Sequence, residues 1–423
     1  MKTRKISIIG LGNVGQAVVK NIKKYSPLIS RRASLKIELK KVCDVNKSKR
    51  KIADKFSIPF TANPFDLIRD PEIDTVVELV GGIEPAYSFV KEALKEKKNV
   101  ITANKALLAN KGREIFSLAR KVNRRVGFEA SVCGAIPLIK SISEGLVSCD
   151  IKKLYGILNG TTNYILCQMQ KGNIDFNASL AEAQAKGFAE RRPGLDINGI
   201  DSLHKLSILS YLCYGVWPNL DKVYTEGISK ISLLDIRYSA ELNYRIKLLA
   251  IAKKEKGLLD LRVHPTLVPA EHPLSQTSSA YNAVYCDTSP AGEFLFYGQG
   301  AGGPATSSAI ISDIVNISSY ENGFMRREEK VSFCNTKDLK MRYYVRFMAQ
   351  DTPGVLAQIS KVLATFNISI ASVTQKEHKL RKCVPIIMIT HEAKEDSIRK
   401  ALSKINNFKF IKYPSQAIRI EDL

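Results

Sequence analysis

Three carboxylates and a lysine stand close together between residues 187 and 205: Glu190, Asp196, Asp201 and Lys205, around a Pro-Gly turn and the start of a helix. Asp201 and Lys205 are four residues apart and share one helical face. Glu190 and Asp196 come from the loop before it. Four ionisable groups meeting at one spot can hold a small zwitterion and move a proton. The same spacing also fits an exposed ion pair beside a polar loop. Two further stretches bear on that choice: a glycine-rich fingerprint at the N-terminus, and Ile-Thr-Ala-Asn-Lys-Ala-Leu-Leu-Ala at 101–109.

The fingerprint is Gly10-Leu-Gly12-Asn13-Val14-Gly15, directly after an apolar run, Ile6 to Ile9, and opening a helix. Such glycines permit a tight turn, close approach of backbone to a pyrophosphate, and tight helix–strand contact. The helix N-terminus adds amide donors and the positive end of a dipole. Asp44 ends the second expected strand, where a carboxylate can accept from both ribose hydroxyls and so favours NAD. Lys47, Lys49, Arg50 and Lys51 follow it and can instead neutralise the 2′-phosphate of NADP.

Three other loops carry usable groups. In Glu129-Ala-Ser-Val132-Cys-Gly134-Ala-Ile-Pro137 a carboxylate lies beside irregular backbone, which suits either a domain hinge or a monovalent cation held by carbonyl oxygens. Gly156-Ile-Leu-Asn-Gly160-Thr161-Thr-Asn-Tyr164 suits a loop cradling a small polar ligand, or only a turn. Asp351-Thr-Pro-Gly354-Val355 joins a strand to a helix whose first amides can hold a carboxylate, with Asn367 at the helix's far end.

The elements that must position these groups change character along the chain. Strands at 4–9, 36–44, 74–80, 99–102 and 125–128 alternate with helices at 13–24, 86–97 and 112–122, with a loop at 26–34. That alternation predicts a Rossmann-like parallel sheet over 1–137. From 138 to 304 helices (137–147, 178–186, 199–214, 235–255) mix with strands near 153–158, 262–268, 281–284 and 294–297, an α+β domain. Helix 305–318 is expected to return to the nucleotide domain. After a charged linker, 319–338, residues 339–423 read as strand, helix, strand, strand, helix, strand, a ferredoxin-like βαββαβ unit.

Composition excludes several classes. The net charge is +23, from 64 Lys and Arg against 41 Asp and Glu, but the lysines are spread along the chain without interleaved aromatics, so no nucleic acid is expected as partner. No apolar run approaches the roughly 20 residues of a membrane span. The basic start, Met-Lys-Thr-Arg-Lys, runs into glycines within a few residues and reads as a strand rather than a leader. Eight cysteines stand singly, without metal spacing, which points to a reducing cytoplasm.

Taken together, the fingerprint, Val77-Glu-Leu-Val-Gly-Gly-Ile-Glu-Pro85, Thr102 to Ala109, Glu129 to Pro137, Gly156 to Tyr164, Gly187 to Lys205 and Gly303-Pro-Ala-Thr-Ser-Ser-Ala resemble homoserine dehydrogenases over nearly the whole chain. The C-terminal unit resembles an ACT domain. The resemblance implies reversible hydride transfer between NAD(P)H and L-aspartate 4-semialdehyde, giving L-homoserine, in threonine, methionine and isoleucine biosynthesis. It implies Lys205 as the proton-transfer group, Asp201 orienting it, and Lys105 flanking the reacting oxygen beside the cofactor. Glu190 and Asp196, with Gly160 and Thr161, would bind substrate; Gly10, Gly12, Asn13, Val14, Gly15, Asp44 and Thr102 would hold the cofactor. Glu129, Val132 and Gly134 would hold sodium. Asp351, Gly354, Val355 and Asn367 would take part in feedback by L-threonine, in a homodimer or homotetramer. No kinase domain precedes the fingerprint, so the chain looks monofunctional. Arg191-Arg192 depart from the acidic pair usual after Glu190, and Cys43-Asp44-Val45-Asn46 lacks an arginine common in NADP-binding members. Another amino-acid or semialdehyde oxidoreductase on the same scaffold, and a ligand-sensing regulatory binding protein, are the competing readings.

Overall fold

A computed structural model describes residues 2–319, 326–376 and 383–423. Residues 320–325 of the expected linker lie outside the described residues. The chain divides into two compact units: Met1–Ile151, Asp201–Val223 and Tyr281–Lys330 form the first; Lys152–Ile200, Tyr224–Ala280 and Val331–Leu423 form the second.

The first unit begins with β1 (Lys2–Ile9), α1 (Asn13–Ala33), β2 (Leu35–Cys43), β3 (Phe60–Thr61), β4 (Thr75–Glu78), α2 (Ala86–Lys95), β5 (Asn99–Thr102), α3 (Lys105–Lys121) and β6 (Val126–Gly127). The strands form one parallel sheet in the order β3-β2-β1-β4-β5-β6. The order reverses beside β1, which opens the crevice where such sheets bind nucleotides. Ile6, Ile8, Val77 and Ile101 are fully buried at its centre.

Two expected boundaries are corrected here. The loop at 26–34 is helix: α1 continues through Pro27 to Ala33. Ile29 and Ala33 pack against the sheet core, and Arg31 and Arg32 sit at the negative end of the helix dipole. Burial of the far end outweighs the amide that Pro27 lacks. Likewise α3 starts at Lys105, capped by the Asn104 side chain, and not at 112.

The second unit opens with β7 (Asp150–Ile157), whose first two residues belong to the first unit, then α4 (Gly160–Gly172) and α5 (Phe176–Ala185). The chain then supplies α6 (Ile200–Tyr214), of which residues 201–214 belong to the first unit, and returns with β8 (Tyr224–Thr225), α7 (Leu233–Glu241), β9 (Tyr244–Glu255) and β10 (Leu258–Pro269). The expected helix 235–255 is therefore a short helix followed by a strand. Ile246 to Ala252 are all buried, Lys247 included, and the apolar run from Leu248 to Ala252, buried on both faces, has no period that separates strand from helix. The hairpin is set by Lys256 and Gly257, at φ of 50° and 77°, a two-residue turn whose twist suits paired strands.

Back in the first unit, β11 (Tyr281–Ser289) and β12 (Gly292–Gln299) pair antiparallel, and α8 (Gly303–Ser319) packs on α1. Ile310, Ile314 and Ile317 join Val18, Val19 and Ile22 in one core, and Asn21 donates to the Ser307 hydroxyl at 2.6 Å.

The C-terminal segment gives β13 (Lys340–Ala349), α9 (Val355–Thr365), β14 (Ile370–Gln375), β15 (Val384–Thr390), α10 (Glu395–Asn406) and β16 (Ile411–Ile420). Its strand order, β16-β13-β15-β14, is the ferredoxin-like order. It is not isolated within the second unit, as a flexible linker would suggest. β16 pairs with β10 at Thr266↔Arg419 and Leu267↔Ile420. Arg346 of β13 reaches Asp235 of α7 at 2.7 Å, and Glu421 meets the fully buried Arg262 of β10 at 3.0 Å.

Candidate active site

Each glycine of the nucleotide loop has its own physical reason. Gly10 has φ +100°, and a Cβ there would lie 2.7 Å from the Leu79 carbonyl oxygen. A Cβ on Gly15 would lie 2.0 Å from the Gly10 carbonyl oxygen, so only glycine lets α1 approach β1. Gly12 has ordinary φ and nothing within 4 Å, leaving open space for a diphosphate to meet backbone. Asn13 and Val14 form the first turn of α1. The Asp44 carboxylate, expected to meet the ribose, accepts from the Leu11 amide at 2.7 Å and the Asn46 amide at 2.9 Å, so it braces the glycine loop.

Beside the loop lies a cleft of 280 Å³ lined by Val14, Leu79 to Gly82 and Ala103 to Ala106. Its wall is held from beneath. Glu78, fully buried, accepts from the Thr102 hydroxyl at 2.6 Å and the Val80 amide at 2.5 Å. Burial pushes its carboxyl up to about 7, only partly offset by those bonds. Asn104 caps α3 with its oxygen and donates to the carbonyls of Val80 and Gly82. Thr102 was expected to touch the cofactor; its side chain is fully buried and spent on Glu78 and the Asn104 amide, so it supports the cleft instead. This fits a nicotinamide dinucleotide: an open glycine cradle, a helix N-terminus, and an adjoining slot.

Lys105 is the first residue of α3, at that slot. Its Nζ lies 2.6 Å from Asp201 Oδ1, while Lys205 Nζ lies 2.8 Å from Asp201 Oδ2. Asp201 is 4% exposed and Lys205 7%, whereas the Lys105 side chain is 44% exposed. Burial alone would raise the Asp201 pKa. The charges of Lys205 and Lys105 outweigh it and hold the carboxyl well below the ordinary range. Two ammonium groups thus share one permanent carboxylate, and one of them faces the slot. His204, half-buried, is shifted down by burial.

In the second unit, Asn159 caps α4 and donates to Asp196 at 2.7 Å. Thr161 donates to the Phe188 carbonyl at 2.6 Å, which ties α4 to the loop carrying Glu190. Gly160 is pressed against the Ala280 carbonyl, 2.6 Å from where its Cβ would be. Glu190, Arg191 and Arg192 are exposed, and Gln184 holds the carbonyls of Glu190 and Arg191.

Residues 10–129 match the family described as "Homoserine dehydrogenase, NAD binding domain", residues 137–315 "Homoserine dehydrogenase", and residues 343–410 "ACT domain". The chain belongs to the homoserine dehydrogenase family. It is 41% identical over 430 residues to the homoserine dehydrogenase of Helicobacter pylori and 39% over 435 to that of Pseudomonas aeruginosa, each match covering 100% of both chains. A crystal structure of a homoserine dehydrogenase from Thiobacillus denitrificans superposes with TM-score 0.93 at 38% identity, covering 100% of this chain and 99% of that one. A hyperthermophilic archaeal homoserine dehydrogenase in complex with NADPH is more distant, with TM-score 0.64 at 25% identity over 75% of this chain and 98% of that one. The protein is thus an NAD(P)-dependent oxidoreductase with a C-terminal ACT domain.

Two expected sites look different in the enzyme. Both Glu129 oxygens accept amides, from Ile139 at 2.8 Å and Lys140 at 2.9 Å, so the carboxylate caps the helix that begins at Leu138. Burial lifts it to about 7. Cys133 and Gly134, between Glu129 and that helix, are both at positive φ. In the ACT turn, Gly354 is left-handed at φ 85°, but the Val355 amide is not free: it donates to the Thr352 carbonyl at 3.4 Å. Asp351 accepts from Gln375 at 3.3 Å, and Asn367 takes the left-handed position after α9. Sequence reasoning missed Glu78, Asn104 and Asn159 as organisers. The signals were there: a charged residue ending an apolar strand, and asparagines just before helices.

Proposed function

We propose that the enzyme interconverts L-aspartate 4-semialdehyde and L-homoserine, serving threonine, methionine and isoleucine biosynthesis. The observation that carries this reading is the Lys105–Asp201–Lys205 cluster beside the nicotinamide-sized slot. Bound NAD(P) supplies or accepts the hydride at the substrate C4. In reduction, Lys205 Nζ gives its proton to the carbonyl oxygen as the C–H bond forms; in oxidation the O–H proton returns to the neutral amine. Asp201 fixes the Lys205 rotamer and carries the opposite charge, so the lysine is placed before the reaction begins. Lys105 adds positive charge where the oxygen becomes anionic. Asp196, oriented by Asn159, and Glu190 take the substrate ammonium, with Gly160 and Thr161 shaping the loop.

Asp44 at the end of β2 supports NAD, while the archaeal relative with NADPH supports NADP; either suits the lysines that follow. Sodium on Glu129 with the carbonyls of Val132 and Gly134 would share the carboxylate with the helix amides. L-threonine is the effector this reading gives the Asp351–Gly354 turn, acting between paired ACT units of a homodimer or homotetramer. Initial rates with aspartate semialdehyde and each of NADH and NADPH test the reaction. No oxidation of either cofactor would refute it. Replacing sodium by choline tests the cation, and rates in millimolar threonine test the effector.

A further inference from the structure

The second unit carries a cleft of 820 Å³ that none of this chemistry uses. It opens where β16 leaves β10. Only Arg419 and Ile420 pair with β10, so the outer edge of β16 over 413–417 becomes one wall, facing residues of 224–234 and of α10.

Its inner charges are matched. Arg419, 5% exposed, reaches Glu395 with Nε and Nη2 and Glu226 Oε2 with Nη1. Arg346 spends Nε and Nη2 on Asp235. Three outer groups are not consumed. Arg399 uses only Nε, on Glu395 at 2.8 Å, and its guanidinium lies 4.9 Å from the Tyr224 ring centre. Stack and bond together fix its plane while its terminal nitrogens have no hydrogen bond among the described residues. Lys230 is exposed and likewise has no ion pair among them. Glu226 accepts from the Tyr224 hydroxyl and Arg419 through Oε2, and its Oε1 has no partner among them. Met348 and Leu402 supply apolar wall.

A plain anion would meet the Glu226 carboxylate, and a plain cation would meet Arg399 and Lys230. A ligand carrying both charges and an apolar body satisfies all of them, and the volume suits a small molecule. We propose that this cleft binds a free α-amino acid with an aliphatic side chain: carboxylate on Arg399 and Lys230, ammonium on Glu226 Oε1, side chain against Met348 and Leu402. The site is separate from the Asp351–Gly354 turn, which lies beyond the end of β13.

Titration calorimetry on the full-length protein tests this, with L-leucine as probe. Isovalerate, which lacks the ammonium, and isoamylamine, which lacks the carboxylate, are the controls. Saturable binding of leucine alone is expected, weakened about tenfold or more by Glu226→Gln and by Lys230→Ala, the effect of losing a charge-assisted hydrogen bond. Lys230 is exposed, so its variant folds; Asp351→Ala should bind leucine unchanged. No heat from leucine at millimolar concentration, equal binding of isovalerate, or loss of binding only in Asp351→Ala would each overturn the proposal.

Discussion

Replacing Asp201 by Asn keeps the shape of the side chain and removes its charge. Lys205, 7% exposed, then holds an ammonium without its counter-ion. Breaking a buried pair in this way costs about 3–5 kcal/mol. The Lys105 arm is half-exposed, so solvent screening limits it to about 1 kcal/mol at most. The Asn oxygen accepts one lysine bond and recovers about 1 kcal/mol. The net expectation is a loss of about 3 kcal/mol of stability at neutral pH. Its pH dependence has a definite sign. The Asp201 carboxyl is held down by Lys205 and Lys105 against the effect of burial. Such a group contributes fully above its unfolded pKa of about 3.9, and the contribution fades as pH falls toward the folded value. The gap between wild type and variant, measured by urea unfolding, should therefore be flat between about pH 5 and 8 and close below about pH 4. Turnover should fall about 100-fold because Lys205 is no longer oriented, with little change in cofactor KM. A turnover within twofold of wild type, or a gap that widens in acid, refutes the assigned role.

Gly12→Ala should leave the melting temperature unchanged and weaken cofactor binding, because its Cβ projects into open space; Gly15→Ala should lose both, because its Cβ meets the Gly10 carbonyl. Thermal melts with and without cofactor separate the two. Asp44→Ala should weaken both cofactors through the released Leu11 amide, and NADH further, by about 1.5–3 kcal/mol for each charge-assisted bond lost; equal KM changes for NADH and NADPH would remove the ribose role. Glu78, lifted by burial from 4.5 to about 7, favours the folded state below about pH 4.5, an advantage lost as pH rises through 7. Glu78→Gln should flatten that fall in pH-dependent melts, and an unchanged slope would contradict it.

The fingerprint was legible because strand, glycines and helix agree at every level. Asp201 and Lys205 were legible as an i,i+4 pair, but their link to Lys105 is set by packing of helices about 100 residues apart in sequence, which no local pattern encodes. The strand at 244–255 was hidden by two-sided burial, with Lys256-Gly257 the only local clue. The ferredoxin-like unit was read correctly in its order. Its attachment was not, because Arg346–Asp235 and Glu421–Arg262 join residues far apart in the chain. A truncation near residue 330 would take Arg346 from buried Asp235 and Glu421 from buried Arg262, leaving them the nearby Ser232 and Asp260, so it is expected to cost stability as well as the C-terminal unit.

The packing of α8 against α1 also sets a timetable for synthesis. Asn21 and Ser307 are 286 residues apart. At about 5–20 residues per second, roughly 15–60 s pass between emergence of the two partners from the ribosome. Until then Val18, Val19 and Ile22 have no cover from Ile310, Ile314 and Ile317. The nascent nucleotide-binding half is therefore a natural client for holding chaperones, and nicks between the two helices during synthesis would leave an amino-terminal fragment that aggregates rather than one that binds cofactor.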